Sequence, residues 1–161
     1  LQHILLGLGS NKGNRTQYLQ AAIHKINNQL GKVISKASLY ETAAWGKTDQ
    51  ASFLNTCIIV KTVYSPKMCF KIIKQIEKQL ERKSTEHWGP REIDIDILLY
   101  DQDMVESKEL TIPHAQMHAR NFVLVPSAQI APNWIHPIFK LTLKELAKRS
   151  EDPLKVDLWR S

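Results

Sequence analysis

The run Trp88-Gly89-Pro90-Arg91-Glu92-Ile93-Asp94-Ile95-Asp96-Ile97-Leu98-Leu99-Tyr100 holds the residues best suited to chemistry. Asp94 and Asp96 stand two apart at the head of a stretch rich in Ile and Leu. Side chains alternate along a strand, so residues i and i+2 share a face roughly 6.6 Å apart. This spacing puts the two acids on one face and Ile93, Ile95, Ile97 and Leu99 on the other. Carboxylates this close repel each other unless a cation lies between them. A hard divalent ion with oxygen ligands is the natural occupant, and Mg²⁺ shared with substrate phosphates is the usual case. A bare Asp-x-Asp is common by chance and is often only a solvated strand face. Here Arg91, three residues ahead, and the Gly89-Pro90 turn favour a metal and phosphate site, because a guanidinium fork matches phosphate oxygens.

The elements that must position these acids follow from periodicity and breakers. Residues 3–9 read as a short buried strand. Residues 10–14 form a turn, and 15–30 a helix with Leu19, Ala22, Ile23, Ile26 and Leu30 at helical spacing, ended by Gly31. Residues 32–40 read as a second strand and 41–52 as a polar irregular loop. Residues 53–64 form a third strand, and Ser65-Pro66 caps a helix carrying Cys69, Ile72, Ile73, Ile76 and Leu80. A second charged loop spans 82–92, ahead of the Asp-bearing strand. A short strand pair at 104–106 and 109–112 follows, then helices at 121–129 and 142–149 and a short strand around Val156. The order β-α-β twice over predicts an α+β, ferredoxin-like split-βαβ fold. It has an antiparallel sheet with packed helices and an extra C-terminal hairpin and helices. Both long loops precede a strand and are placed to close over one sheet edge.

Composition bounds the rest. The chain has 161 residues, 43% hydrophobic and 24% charged, so a single domain over 1–161 with one sizeable core is expected. No apolar run approaches the ~20 residues that cross a bilayer, and residues 4–6 are too short for a signal peptide. Cys57 and Cys69 lack metal-type spacing and read as buried free thiols of a reducing, cytoplasmic compartment. The net charge of +6 suits anionic partners without choosing between nucleic acid and small polyphosphates.

Several motifs are set aside. Gly7-x-Gly9-x-x-x-Gly13 has its third glycine one place late for a dinucleotide fingerprint and reads as a structural turn. Gly46-Lys47-Thr48 lacks the glycine five positions earlier that a P-loop needs; Glu41 stands there. The six histidines show no zinc spacing. No strand offers the glycine- and aromatic-rich pattern of an RNA-binding sheet.

Five stretches taken in order carry a resemblance. They are Gly7-Leu8-Gly9-Ser10-Asn11, then Tyr40-Glu41-Thr42 with Phe53-Leu54-Asn55, then Ile76-Glu77 with Arg82. The Trp88-to-Leu99 block follows, and last Ile112-Pro113-His114 with Met117, Arg120, Phe122-Val123-Leu124 and Pro126. Together they resemble the 6-hydroxymethyl-7,8-dihydropterin pyrophosphokinase family. The resemblance implies transfer of the β,γ-pyrophosphoryl unit of ATP to the pterin hydroxymethyl oxygen, with release of AMP, in folate biosynthesis. It implies Asp94 and Asp96 as holders of two Mg²⁺ ions, with Arg82 and Arg91 stabilising phosphate charge. His114 and Arg120 would contact ATP phosphates, with Glu77, Trp88, Ile97, Leu110 and Thr111 near the nucleotide. Phe53 and Phe122 would stack on the pterin, Asn55 would bond its edge, and Thr42, Ala43 and Trp45 would border it. Without the resemblance, Phe53 and Phe122 read as plain core packing. The implied partners are ATP and the pterin, not nucleic acid or membrane, and the implied state is a monomer or weak dimer. The chain departs from the frequent pattern at Glu81 and Ser84, where Gly and Arg are common. Two other readings stand beside it: a basic RNA-binding module, and another metal-dependent transferase that ignores pterin.

Overall fold

A computed structural model describes residues 1–43, 51–80 and 92–160. The chain begins in β1 (Gln2–Ser10), whose Ile4, Leu5, Leu6 and Leu8 are all buried. Asn14 ends the following turn and caps α1 (Arg15–Gln29), its side-chain oxygen accepting from the Gln17 N–H at 3.2 Å. The apolar positions Leu19, Ala22 and Ile26 fall on one face of α1 and are buried. The helix closes through Leu30, and Gly31 leads directly into β2 (Lys32–Lys36).

Short β3 (Tyr40–Thr42) and long β4 (Phe53–Thr62) follow. Ser65 then accepts from the Met68 N–H at 3.2 Å and starts α2 (Pro66–Leu80). The acid-bearing strand is β5 (Asp94–Tyr100). Beyond it lie the β6–β7 ribbon (Val105–Glu106 and Thr111–Ile112), α3 (Asn121–Ile130), α4 (Leu143–Arg149) and β8 (Val156–Leu158). Thr142 and Glu145 form a capping box on α4.

The main sheet runs β5-β1-β4-β3-β8, with β2 also pairing β4, and every pairing is antiparallel. This is the predicted split-βαβ arrangement. On one face α1 and α2 cover Ile4, Leu6, Leu8, Ile93, Ile95 and Ile97. On the other face, α3 and α4 pack Leu124, Leu143 and Leu146 against Leu5, Cys57 and Leu99. Among the described residues no helix is long and apolar enough to cross a membrane.

Two expectations are corrected. The strand predicted at 32–40 is two strands, both on β4. Its ladder shifts register between Val33 and Ser35, and the Ser38 N–H leaves it to donate to Gln129 Oε1 of α3 at 2.9 Å. Leu99 does not share the face of Ile93, Ile95 and Ile97. Leu5 pairs with Leu99 while Leu6 pairs with Ile97, so Leu98 is an extra residue in the ladder. This bulge reverses the alternation: Tyr100 joins the α1/α2 core, and Leu98 and Leu99 both turn to the α3/α4 side.

The α3–α4 connection contains a buried histidine with a clear pH signature. His136 is 2% exposed, and its Nδ1 accepts from the Ile138 and Phe139 N–H groups at 3.2 and 3.3 Å. Burial, with a smaller push from nearby His118, lowers its pKa from 6.5 to about 4. The unfolded chain therefore binds this proton first as pH falls. The stabilisation is complete above about pH 7 and is lost between 6.5 and about 4, amounting to at most about 3 kcal/mol. Urea midpoints should drop from near pH 7 to near pH 4.5, and the drop should shrink in His136→Asn.

Candidate active site

The α3/α4 layer covers only part of its sheet face, and glycine opens the remainder. Gly7 pairs with Cys57 on one side and Asp96 on the other; Gly9 pairs with Asn55 and Asp94. Both glycines lie within β1 rather than in a turn, which corrects the reading of the Gly7-to-Gly13 motif; of the three, only Gly13 has a positive φ, +67°. With no side chains at these two positions of β1, a cavity of about 280 Å³ forms over the glycines. Asp94 and Asp96 stand on one flank, and Thr42, Ala43, Phe53 and Asn55 on the other. Arg120 and Phe122 close it from the start of α3, the guanidinium 5.7 Å from the Phe122 ring centre. Asn55 is buried, and its Nδ2 donates to Thr42 Oγ1 at 2.9 Å. A Cβ on Gly9 would lie 2.7 Å from Asn55 Oδ1, so that oxygen sits directly over the cavity floor.

The start of α3 is fixed from a distance. The Asn121 N–H donates to Asp152 Oδ2 at 2.8 Å, and the Asn121 amide donates to the Asp152 carbonyl at 3.2 Å. Asp152 thus supplies the acceptor that Arg120, the N-cap residue, does not.

A second recess, of about 340 Å³, lies along the outer edge of β5. Its walls include Ile97, Leu110, Thr111 and His114, which the family resemblance groups around the nucleotide, together with Phe70 and Lys74 of α2. The His114 N–H donates to the Leu98 carbonyl at 2.9 Å, which holds this residue against β5. Its Nδ1 accepts from the Gln116 N–H at 3.1 Å, which assigns the ring proton to Nε2. Burial, then Arg120, lowers its pKa and keeps the ring neutral. Asp96 lies on the walls of both cavities.

The electrostatics centre on that shared acid. Burial raises the Asp96 pKa to about 7, with further pushes from Asp94 and Glu77 and partial relief from Lys74 and Arg120. Glu77 of α2 lies against the outer edge of β5. It is 5% exposed, its Oε2 accepts from the Ile95 N–H at 2.8 Å and its Oε1 from Lys74 Nζ at 2.9 Å. It therefore holds the stretch between the two aspartates, and both of its partners, Ile95 and Lys74, line the recess. Burial raises Glu77, and the Ile95 N–H and Lys74 offset this in part. Burial pulls Lys74 down, but Glu77 and the aspartates outweigh it, so the ammonium is retained. Cys57, on the cavity wall, is pushed up to about 12 by burial and is unreactive as a nucleophile.

Of the residues singled out from sequence, Trp45, Arg82, Trp88 and Arg91 lie outside the described residues. The glycine floor, Lys74 and Phe70 were not foreseen. The alternation Gly7-x-Gly9 inside a strand was the available signal for the floor.

Residues 5–132 match the family model for 7,8-dihydro-6-hydroxymethylpterin-pyrophosphokinase (HPPK). This chain belongs to the HPPK family. It is 42% identical over 152 residues to the 2-amino-4-hydroxy-6-hydroxymethyldihydropteridine pyrophosphokinase of Aquifex aeolicus, covering 94% of this chain and 93% of that protein. The protein of the same name from Bacillus subtilis is 40% identical over 126 residues, covering 78% of this chain and 75% of the relative. The solved wild-type HPPK-DHPS chain of Plasmodium falciparum shares the fold with a TM-score of 0.74 at 17% identity. That likeness covers 92% of this chain and 44% of the solved one, so this chain spans less than half of that protein's length. The HPPK match includes the glycine floor, both aspartates and the start of α3, and stops before α4 and β8.

Proposed function

We propose that this chain transfers the pyrophosphoryl group of ATP to 6-hydroxymethyl-7,8-dihydropterin, giving AMP and the pterin diphosphate in folate biosynthesis. The observation that carries the reading is the pair of cavities meeting at Asp96. One is flanked by aromatic rings and an amide, and the other by apolar side chains and a histidine. Two substrates placed in them would present their reacting atoms at one acid.

The flat pterin would lie between Phe53 and Phe122 above the glycine floor, with Asn55 bonding its edge. The nucleotide would take the second recess, with Ile97, Leu110 and Thr111 beside it. His114, protonated on Nε2, and Arg120 would donate to its phosphate oxygens. Arg82 and Arg91 are assigned the same task from the second loop, with Trp88 beside the nucleotide and Trp45 beside the pterin. The hydroxymethyl oxygen attacks the β-phosphorus and releases its proton to water, while the bond from the β-phosphorus to the oxygen bridging it to the α-phosphorus breaks and that oxygen leaves with AMP.

The donor set fits a hard dication. Two oxygen-only side chains share a face, and like charge and burial make the ionised pair unfavourable by itself. Among the described residues no group of three or more potential ligands forms, as suits an ion that takes its remaining ligands from phosphates and water. Two Mg²⁺ held by Asp94 and Asp96 would supply charge neutralisation for the transferred phosphates. The reaction is assigned to the cytoplasm, with the chain acting as a monomer or weak dimer.

The deciding experiment is product analysis after incubation with ATP, Mg²⁺ and the hydroxymethyldihydropterin. AMP and a pterin diphosphate are expected. ADP, or pyrophosphate with no pterin product, would transfer the site to another metal-dependent transferase. Gly9→Ala gives a second check: its Cβ displaces Asn55. The pterin KM should rise about tenfold while the ATP KM stays within about twofold. Equal movement of both would sink the assignment of this cavity.

A further inference from the structure

Arg15 reaches neither cavity, yet it touches the chain beside both walls of the first. Its Nη1 donates to Glu41 Oε2 at 2.7 Å and to the Ser52 carbonyl at 2.9 Å. Glu41 directly precedes Thr42, and Ser52 directly precedes Phe53, the two residues that bring β3 and β4 to the cavity. Glu41 and Thr42 are successive strand residues and face opposite sides of the sheet, so the Glu41 carboxylate meets the cation behind the sheet while Thr42 faces the cavity, and the Ser52 main-chain carbonyl holds the start of β4 to the same cation. Thr42 and Phe53 are register partners at the end of the β3–β4 ladder, where the hydrogen bonding between these strands runs out.

Local helix energetics do not account for an arginine here. Arg15 is the first residue of α1, where the helix dipole disfavours a cation, and the first turn has no acid. Its partners account for it. The Trp159 ring lies 5.0 Å from its guanidinium carbon, and the Trp159 main-chain N–H donates to the Leu39 carbonyl at 2.8 Å. Trp159 directly follows β8, which pairs with β3 from Thr42–Val156 to Tyr40–Leu158. The C-terminal segment, outside the matched family residues, thus packs on the same cation.

We propose that Arg15 is a positioning residue for the pterin cavity, and that the C-terminal strand, through Trp159, holds it in place. The proposal rests on the functional reading above. Arg15 holds the chain just ahead of Thr42 and Phe53 in place, and with it the position of the Phe53 ring that faces Phe122 across the slot for a flat ring. It has no part in the nucleotide recess, so its loss divides the two substrates.

Steady-state kinetics on the full chain test this. Arg15→Met keeps the aliphatic stem and removes the fork; it should raise the pterin KM about tenfold and leave the ATP KM within about twofold. Trp159→Leu should give about a threefold rise in the same constant, and the double variant no more than Arg15→Met alone, because the two act as a unit. An unmoved pterin KM in folded Arg15→Met overturns the proposal. So does a parallel rise of both KM values with a lowered melting temperature, which is the mark of a merely structural contact. If Arg15→Met does not fold, Trp159→Leu with Arg15→Lys decides on the same split. A wild type that makes no AMP from this pterin overturns the functional reading and the brace with it; an active wild type with unmoved variants overturns the brace alone.

Discussion

Asp96→Ala should lower kcat for AMP formation by about a thousandfold, the equivalent of about 4 kcal/mol of transition-state stabilisation. The size follows from its place. Among the described residues Asp96 is the one acid on the walls of both cavities, so on the proposed placement none of these takes over its position between the two substrates. Asp94→Ala should fall in parallel, and the double variant little further, since the pair acts as a unit. Stability should move the other way. The Asp96 carboxylate is disfavoured by burial and by the charges of Asp94 and Glu77. Removing it relieves that crowding, and the melting temperature without metal should hold or rise. Loss of activity with undiminished stability separates a chemical role from a structural one. A variant retaining activity within about tenfold of wild type would falsify the assignment.

The largest expected loss of stability comes from a residue far from any chemistry. Gly31→Ala should destabilise the fold by about 3 kcal/mol or more. Where α1 exits toward β2, the chain passes so close to β4 that a Cβ on Gly31 would meet the Lys61 carbonyl oxygen at 2.1 Å and its carbon at 2.9 Å. Both are backbone atoms of a residue paired on both sides, because Lys61 pairs with His3 and with Lys32. Neither can rotate away as a side chain end would. The neighbouring bond from Thr62 Oγ1 to the Leu30 carbonyl, 2.8 Å, fixes the same crossing. For a domain of this size the melting temperature should fall by roughly 10 °C. Gly31 lies at the opposite end of β4 from Phe53, so the fraction that remains folded should keep its kcat. A fall of less than about 2 °C would show that the helix exit can move.

Much of this architecture is legible in the chain. The apolar spacing of α1 and α2, the caps at Asn14 and Ser65, and the β-rich run after Ile93 lead to the split-βαβ order without further information. The acids are legible too, because period-two spacing and the arginine ahead of them are local. The misses are all non-local. Ser38 leaves the strand because Gln129, 91 residues away, accepts its N–H. Leu99 changes face because the partner strand lacks a residue to oppose Leu98. Gly7 and Gly9 look like turn residues until both neighbours of β1 are known, and then their missing side chains become the cavity.

The bulge at Leu98 also sets the medium around the acids. Above it the open face of β5 carries Asp94 and Asp96; at Leu98 and Leu99 the same face becomes apolar, both residues being at most 1% exposed. The passage from acid to hydrocarbon takes one residue. Charge at Asp96 thus lies on a dielectric boundary, with low-polarisability packing beneath it and the cavities beside it. Field lines avoid the apolar side and concentrate toward the open one. An ion held there would act on the phosphates more strongly than its distance in water would suggest, and polar substitution at Leu98 would weaken that action without touching a single ligand.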